Sequence, residues 1–105
     1  MGKFKSLYKE KNYHTIIKQS EDKYKKYIKN PLFLYVLGNS HLFLNHFELA
    51  IKCYKKLLKH QPNYNEKVYL FLSISFQNLN QNKKATDVLK KGIKIFPQNI
   101  DFWVS

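Results

Sequence analysis

Residues 31–64 recur 35 positions later. With Leu37-Gly38 laid over Leu72-Ser73, Asn45 falls on Asn80, Ala50 on Ala85, Tyr54 on Leu89, Leu57 on Gly92 and Pro62 on Pro97. A unit of this length copied in tandem buries its apolar side only against its neighbours, which restricts the chain to a stacked array. Each copy reads as two helices. Asn30-Pro31 supplies an N-cap and a proline at the first helical position. Apolar residues then run through Leu44, and Asn45 stops the helix, as Asn80 stops its counterpart, because Asn tolerates the left-handed backbone of a tight turn. A second helix is expected over about Phe47 to Lys59, with Ala50, Ile51, Tyr54, Leu57 and Leu58 on one stripe and Lys52, Lys55, Lys56 and Lys59 opposite. Pro62 ends it.

The first helix of the pair is unusual. Residues 31–47, PLFLYVLGNSHLFLNHF, hold no Lys, Arg, Asp or Glu in a chain of formal charge +12. A membrane span needs about 20 mostly apolar residues, and Asn39, Ser40, His41, Asn45 and His46 interrupt this run. Polar groups carried into lipid would cost several kcal/mol each, so a helix covered by protein on more than one side is expected instead.

The 105 residues suffice for one domain with a modest core. All 19 basic residues are Lys, a balance that favours phosphates and acidic surfaces through counterion release. Arg, the preferred bidentate reader of guanine and phosphate, is absent. Lys, Asn, Ile, Tyr and Phe are enriched together, as biased genomic base composition would produce without selection for binding. Cys53 stands alone, so no internal disulfide forms. The N-terminus shows no apolar secretory core. It does match the myristoylation pattern at Gly2 with Ser6, although Lys3 directly after the glycine disfavours that modification.

The repeated positions resemble the tetratricopeptide repeat, whose signature runs W-x2-L-G-x2-Y, A-x3-F and P. In residues 31–64 the matches are Leu37, Gly38, Ala50, Tyr54 and Pro62, with Leu34 in place of the Trp and His41 in place of the Tyr. In residues 66–99 they are Tyr69, Leu72, Ser73, Phe76, Ala85, Leu89 and Pro97, with Asn65 as one extra linker residue. The small residues permit close approach of neighbouring helices. The resemblance extends to both ends. Residues 12–30, with Ile16, Ile17, Ser20, Tyr24, Tyr27 and Ile28 periodic, look like the outer helix of a degenerate unit, and residues 1–10 like its shortened inner helix. Lys23 stands where the family has a small residue, and Trp103 lies where the Trp of a further repeat would begin. The resemblance thus implies an all-α solenoid of antiparallel helix pairs: one domain over residues 1–105, divided into a degenerate unit (1–30), two repeats (31–64 and 66–99) and a stub (100–105). So short an array is expected to sit in a larger assembly, to be part of a longer parent chain, or to self-associate through Ile100, Phe102 and Trp103.

By the family's geometry, Leu32, Tyr35, Val36, Asn39, Leu42 and Phe43 would line a concave groove, followed by Lys67, Leu70, Phe71, Ile74, Gln77 and Asn78. The resemblance implies a non-enzymatic, cytoplasmic interaction module holding a helical or extended peptide there, with Asn39, Gln77 and Asn78 bonding its backbone. The carboxylate-capturing members of the family are a poor match, because Tyr35 and Phe71 replace their Lys and second Asn. A second reading uses the outer helices, where Lys52, Lys55, Lys56, Lys59, Lys90, Lys91 and Lys94 form a convex ridge for an acidic protein surface or, less favoured, nucleic acid. No cofactor or metal is expected. His41 and His46, five apart, fall on different sides of a helix, and Cys53 reads as a small filler.

Overall fold

A computed structural model of the chain describes residues 2–22 and 29–98, with side chains placed for 5–21 and 29–98. The expectations for Lys23, Tyr24, Tyr27, Ile28 and the segment Ile100 to Trp103 lie outside the described residues. Among the described residues six helices follow one another: α1 (Gly2–Lys9), α2 (Tyr13–Asp22), α3 (Pro31–Phe43), α4 (Phe47–His60), α5 (Glu66–Asn78) and α6 (Asn82–Ile95). They pair as α1/α2, α3/α4 and α5/α6, and α3 and α5 also pack on the preceding outer helices α2 and α4. The arrangement is an α-solenoid of helix hairpins, with no strand among the described residues.

Local chemistry sets each boundary. The Asn30 side-chain oxygen accepts from the Phe33 amide at 3.1 Å, with Pro31 at the first helical position. Asn65 caps α5 in the same way, accepting from the Lys67 amide at 2.9 Å. The hairpins turn at Lys11, Asn45 and Asn80, the non-glycine residues with positive φ among those described, at 60°, 64° and 60°. At Asn45, its amide donates to the Leu42 carbonyl and the His46 amide to the His41 carbonyl. That pair of bonds recurs from Asn80 and Gln81 onto Gln77 and Phe76, and from Lys11 and Asn12 onto Tyr8 and Leu7. All three are Schellman turns, in which a left-handed residue lets the last helical carbonyls find donors. The first uses Lys where the other two use Asn, so the same turn forms without the Asn signature.

α3 explains the uncharged stretch. Phe33, Leu34, Val36, Gly38, Asn39, Ser40, His41 and Leu42 are all buried, because α2, α4 and α5 cover the helix from different sides. A charge at most of these positions would be desolvated without a partner. The main core joins Leu34, Ala50, Tyr54 and Leu57 to Val68, Leu72, Phe76 and Ala85 across both repeats. A second cluster, Leu7, Ile16, Phe33 and Val36, fastens the first hairpin to α3. Gly38 sets the distance between α3 and α4: a Cβ there would lie 2.7 Å from Tyr54 Cε1 and 3.2 Å from Cys53 Cβ. Ser40 and Ser75 return their hydroxyls to the carbonyls of Val36 and Phe71, at 2.8 and 2.9 Å, and so enter the interior satisfied.

Candidate protein-binding groove

The inner helices α3 and α5 pack side by side and carry the residues expected to line a groove. They do not all reach the surface. Leu32, Tyr35, Leu70, Phe71 and Ile74 are partly exposed, Lys67, Gln77 and Asn78 are exposed, and Phe43 is open at 46 %. Val36, Asn39 and Leu42 are buried. For Asn39 this is a correction of substance. Its amide nitrogen donates to the Tyr8 hydroxyl at 2.9 Å, and its oxygen accepts from the Tyr54 hydroxyl at 2.5 Å. With 0 % exposure it joins three hairpin elements and is not open to the backbone of a ligand. The reason is Tyr8: α1 closes over the position that a missing preceding helix would have left open. Asn78 in turn donates to the Ile74 carbonyl at 2.9 Å, which occupies one of its amide hydrogens.

What remains is aromatic and continuous. The Tyr13 ring lies 5.1 Å from Phe43, Phe43 lies 6.4 Å from Phe71, Phe71 stacks at 6.5 Å on Tyr35, and Tyr35 meets Tyr64 at 5.8 Å. Tyr8 extends the row, edge-on to Tyr13 at 6.2 Å. Offset and edge contacts of this kind suit the ring quadrupoles and hold the row rigid. Desolvation pushes the Tyr35 phenol above its ordinary pKa, so this hydroxyl is a neutral donor and acceptor. Sequence register located Tyr35, Phe43 and Phe71. It missed Tyr8 and Tyr13, on the first hairpin, and Tyr64, which sits between helices. The available signal was that all three are aromatics beside a break between helices.

The lysines stand where the outer-helix pattern puts them. Lys52, Lys55, Lys56 and Lys59 on α4 and Lys90, Lys91 and Lys94 on α6 are all exposed. Helical spacing failed for the two histidines. The Schellman turn at Asn45 reverses the chain between them and brings His41 Nδ1 to 3.3 Å from His46 Nδ1. Burial first, and the neighbouring His46 second, lower the His41 pKa to about 4, so its ring is neutral near pH 7. Burial pushes the Cys53 thiol up to about 11 against the pull of Lys56 and Lys52, which leaves a weak nucleophile. Among the described residues no cluster of three or more His, Cys, Asp or Glu could hold a metal, and no helix is long and apolar enough to cross a membrane.

Comparison with known families gives two adjacent matches. Residues 31–64 match one profile described as tetratricopeptide repeat, and residues 66–99 match a second profile with the same description. Together they take in about two-thirds of the chain. None of the curated proteins matches it.

Proposed function

Since this chain belongs to the tetratricopeptide repeat family, whose repeats generally mediate protein–protein interaction, we propose that it is a non-enzymatic module that binds a segment of a partner protein along the concave row Tyr13, Phe43, Phe71, Tyr35 and Tyr64. The observation that carries this reading is Phe43. A large apolar ring, open at 46 % and braced on both sides by other aromatics, costs free energy in water and regains it when covered. Rigid aromatic platforms also lose little side-chain entropy on binding, which is why they dominate the energetics of interfaces. Leu70 and Ile74 would receive apolar anchors of the segment, and Gln77 at the rim would bond its backbone; Asn39 has no part in it. A cytoplasmic setting belongs to the same proposal, and imaging of a tagged full-length chain would check it.

Selection from a random peptide library on the intact protein tests the groove. Phe43→Glu changes an exposed side chain and leaves the helices unaltered, which circular dichroism would verify. Enriched peptides should carry spaced apolar residues and bind Phe43→Glu at least about tenfold more weakly, a change of about 1.4 kcal/mol. A selection in which no enriched peptide loses affinity for Phe43→Glu, or one that enriches nothing, would overturn the proposal.

A further inference from the structure

The side of the molecule away from the aromatic row holds a second recognisable surface. Between α4 and α6, above α5, lies an open cavity of about 300 Å³. Its floor is apolar: Tyr69, Leu72 and Phe76 from α5, with Leu58 and Val88 on the flanks. Its rim is cationic, with Lys55 and Lys59 on α4 facing Lys91 on α6. The ammonium groups lean over the floor. Lys55 Nζ stands 5.6 Å and Lys84 Nζ 6.0 Å from the centre of the Phe76 ring.

The valley repeats. A second cavity, of about 280 Å³, is lined by Leu34, Leu37, His41, Cys53 and Lys56. These are the residues 35 positions before Tyr69, Leu72, Phe76, Val88 and Lys91, so the stacking itself generates a furrow at each junction between hairpins.

We propose that the α4/α6 valley binds an acidic peptide segment of a partner protein, one apolar side chain entering the cavity while flanking carboxylates meet Lys55, Lys59, Lys84 and Lys91. Charge complementarity selects this occupant. Over residues 31–98 ten lysines stand against three acidic residues, Glu48, Glu66 and Asp87, so the surrounding surface has few carboxylates of its own to offer the rim. An ion-pair partner at such a rim is held by several cations at once, and a purely polar anion would leave the apolar floor wet. The size of the cavity argues in the same direction. It is at the lower end of small-molecule sites, which span about 300 to 1,000 Å³, and suits one inserted side chain of a larger ligand. This surface is separate from the aromatic row, and each can be lost without the other.

Fluorescence anisotropy of the full chain with a labelled twelve-residue peptide, a central Leu-Phe pair flanked by glutamates, tests the site. A control peptide has the pair replaced by Gly-Gly. The Leu-Phe peptide should bind at least about tenfold more tightly than the control. Val88→Trp, which fills the cavity, and the exposed pair Lys59→Glu with Lys91→Glu should each weaken it by at least about tenfold, whereas Phe43→Glu should leave it unchanged. Equal binding of the two peptides, unaltered binding by the lysine variant, or equal competition by an RNA oligonucleotide at the same salt concentration would overturn the proposal. Should Val88→Trp fail to fold, the lysine variant and the Gly-Gly control decide the outcome between them.

Discussion

At the scale of single residues, the molecule is held to one geometry by two contacts around Tyr54. Its ring lies against Gly38, and its hydroxyl donates to Asn39, which donates to Tyr8. Because that hydrogen bond pins the phenol, the ring has little room to retreat from an added methyl group. Gly38→Ala should therefore destabilise the protein by about 1–2 kcal/mol in urea unfolding, despite the better helix propensity of Ala, since overpacking of a fixed core costs about 1–3 kcal/mol. In a Tyr54→Leu background, which copies Leu89 of the second repeat, the same substitution should cost nothing further. Gly38 and Tyr54 were both legible from the repeat signature, but their link to Tyr8 was not, because no repeat register relates the first hairpin to Asn39. His41 makes a second prediction. Its pKa of about 4 in the folded chain lies below the ordinary 6.5, so the unfolded chain binds the additional proton. The associated stability is present above about pH 6.5 and is lost as the pH falls towards 4. His41→Phe, the residue its counterpart Phe76 carries, should flatten that part of a pH series of thermal melts.

At the scale of helices and turns, most boundaries of α3 to α6 are written in a side chain with a specific backbone consequence, whereas α4 and α6 begin after His46 and Gln81, which make no side-chain cap. Asn30 and Asn65 cap, Pro31 begins, and Asn45 and Asn80 take positive φ. Lys11 takes the same φ with no such signature; the hydrogen bonds from Lys11 and Asn12 to Tyr8 and Leu7 outweigh an unfavourable residue preference. This predicts an asymmetry between substitutions at one turn. Asn45→Gly should leave the stability almost unchanged, and Asn45→Ala should lower it by about 1 kcal/mol, since a Cβ without a local hydrogen-bonding group resists left-handed backbone. Lys11→Gly should be stabilising by a similar amount, and chemical denaturation of the three variants would check all of it. The misreading of His41 and His46 arose at this scale too: helical spacing was applied across a residue that reverses the chain.

For the molecule as a whole, stability depends on neighbours. The first hairpin covers Phe33 and Val36 with Leu7 and Ile16 and supplies Tyr8 to Asn39. A chain begun at Lys29 should therefore retain helices α3 to α6 yet melt at a lower temperature and with a broader transition, since a stacked array loses an interface with each unit removed. A sharp, unshifted melt would show that the hairpin contributes nothing. The stacking order was evident from the 35-residue spacing, whereas the aromatic row was only half evident, because Tyr8, Tyr13 and Tyr64 lie where no repeat template assigns a face. The seclusion of Tyr54 gives this cooperativity an internal optical gauge. With no exposure and a hydroxyl engaged by Asn39, its phenol stays protonated well above the ordinary value of 10, chiefly through burial. Alkali favours the unfolded form above that value, so a final increment of tyrosinate absorbance near 295 nm should arrive together with loss of the 222 nm helical signal. Earlier ionisation of all eight tyrosines, with the ellipticity intact, would mean that solvent reaches the centre of the stack.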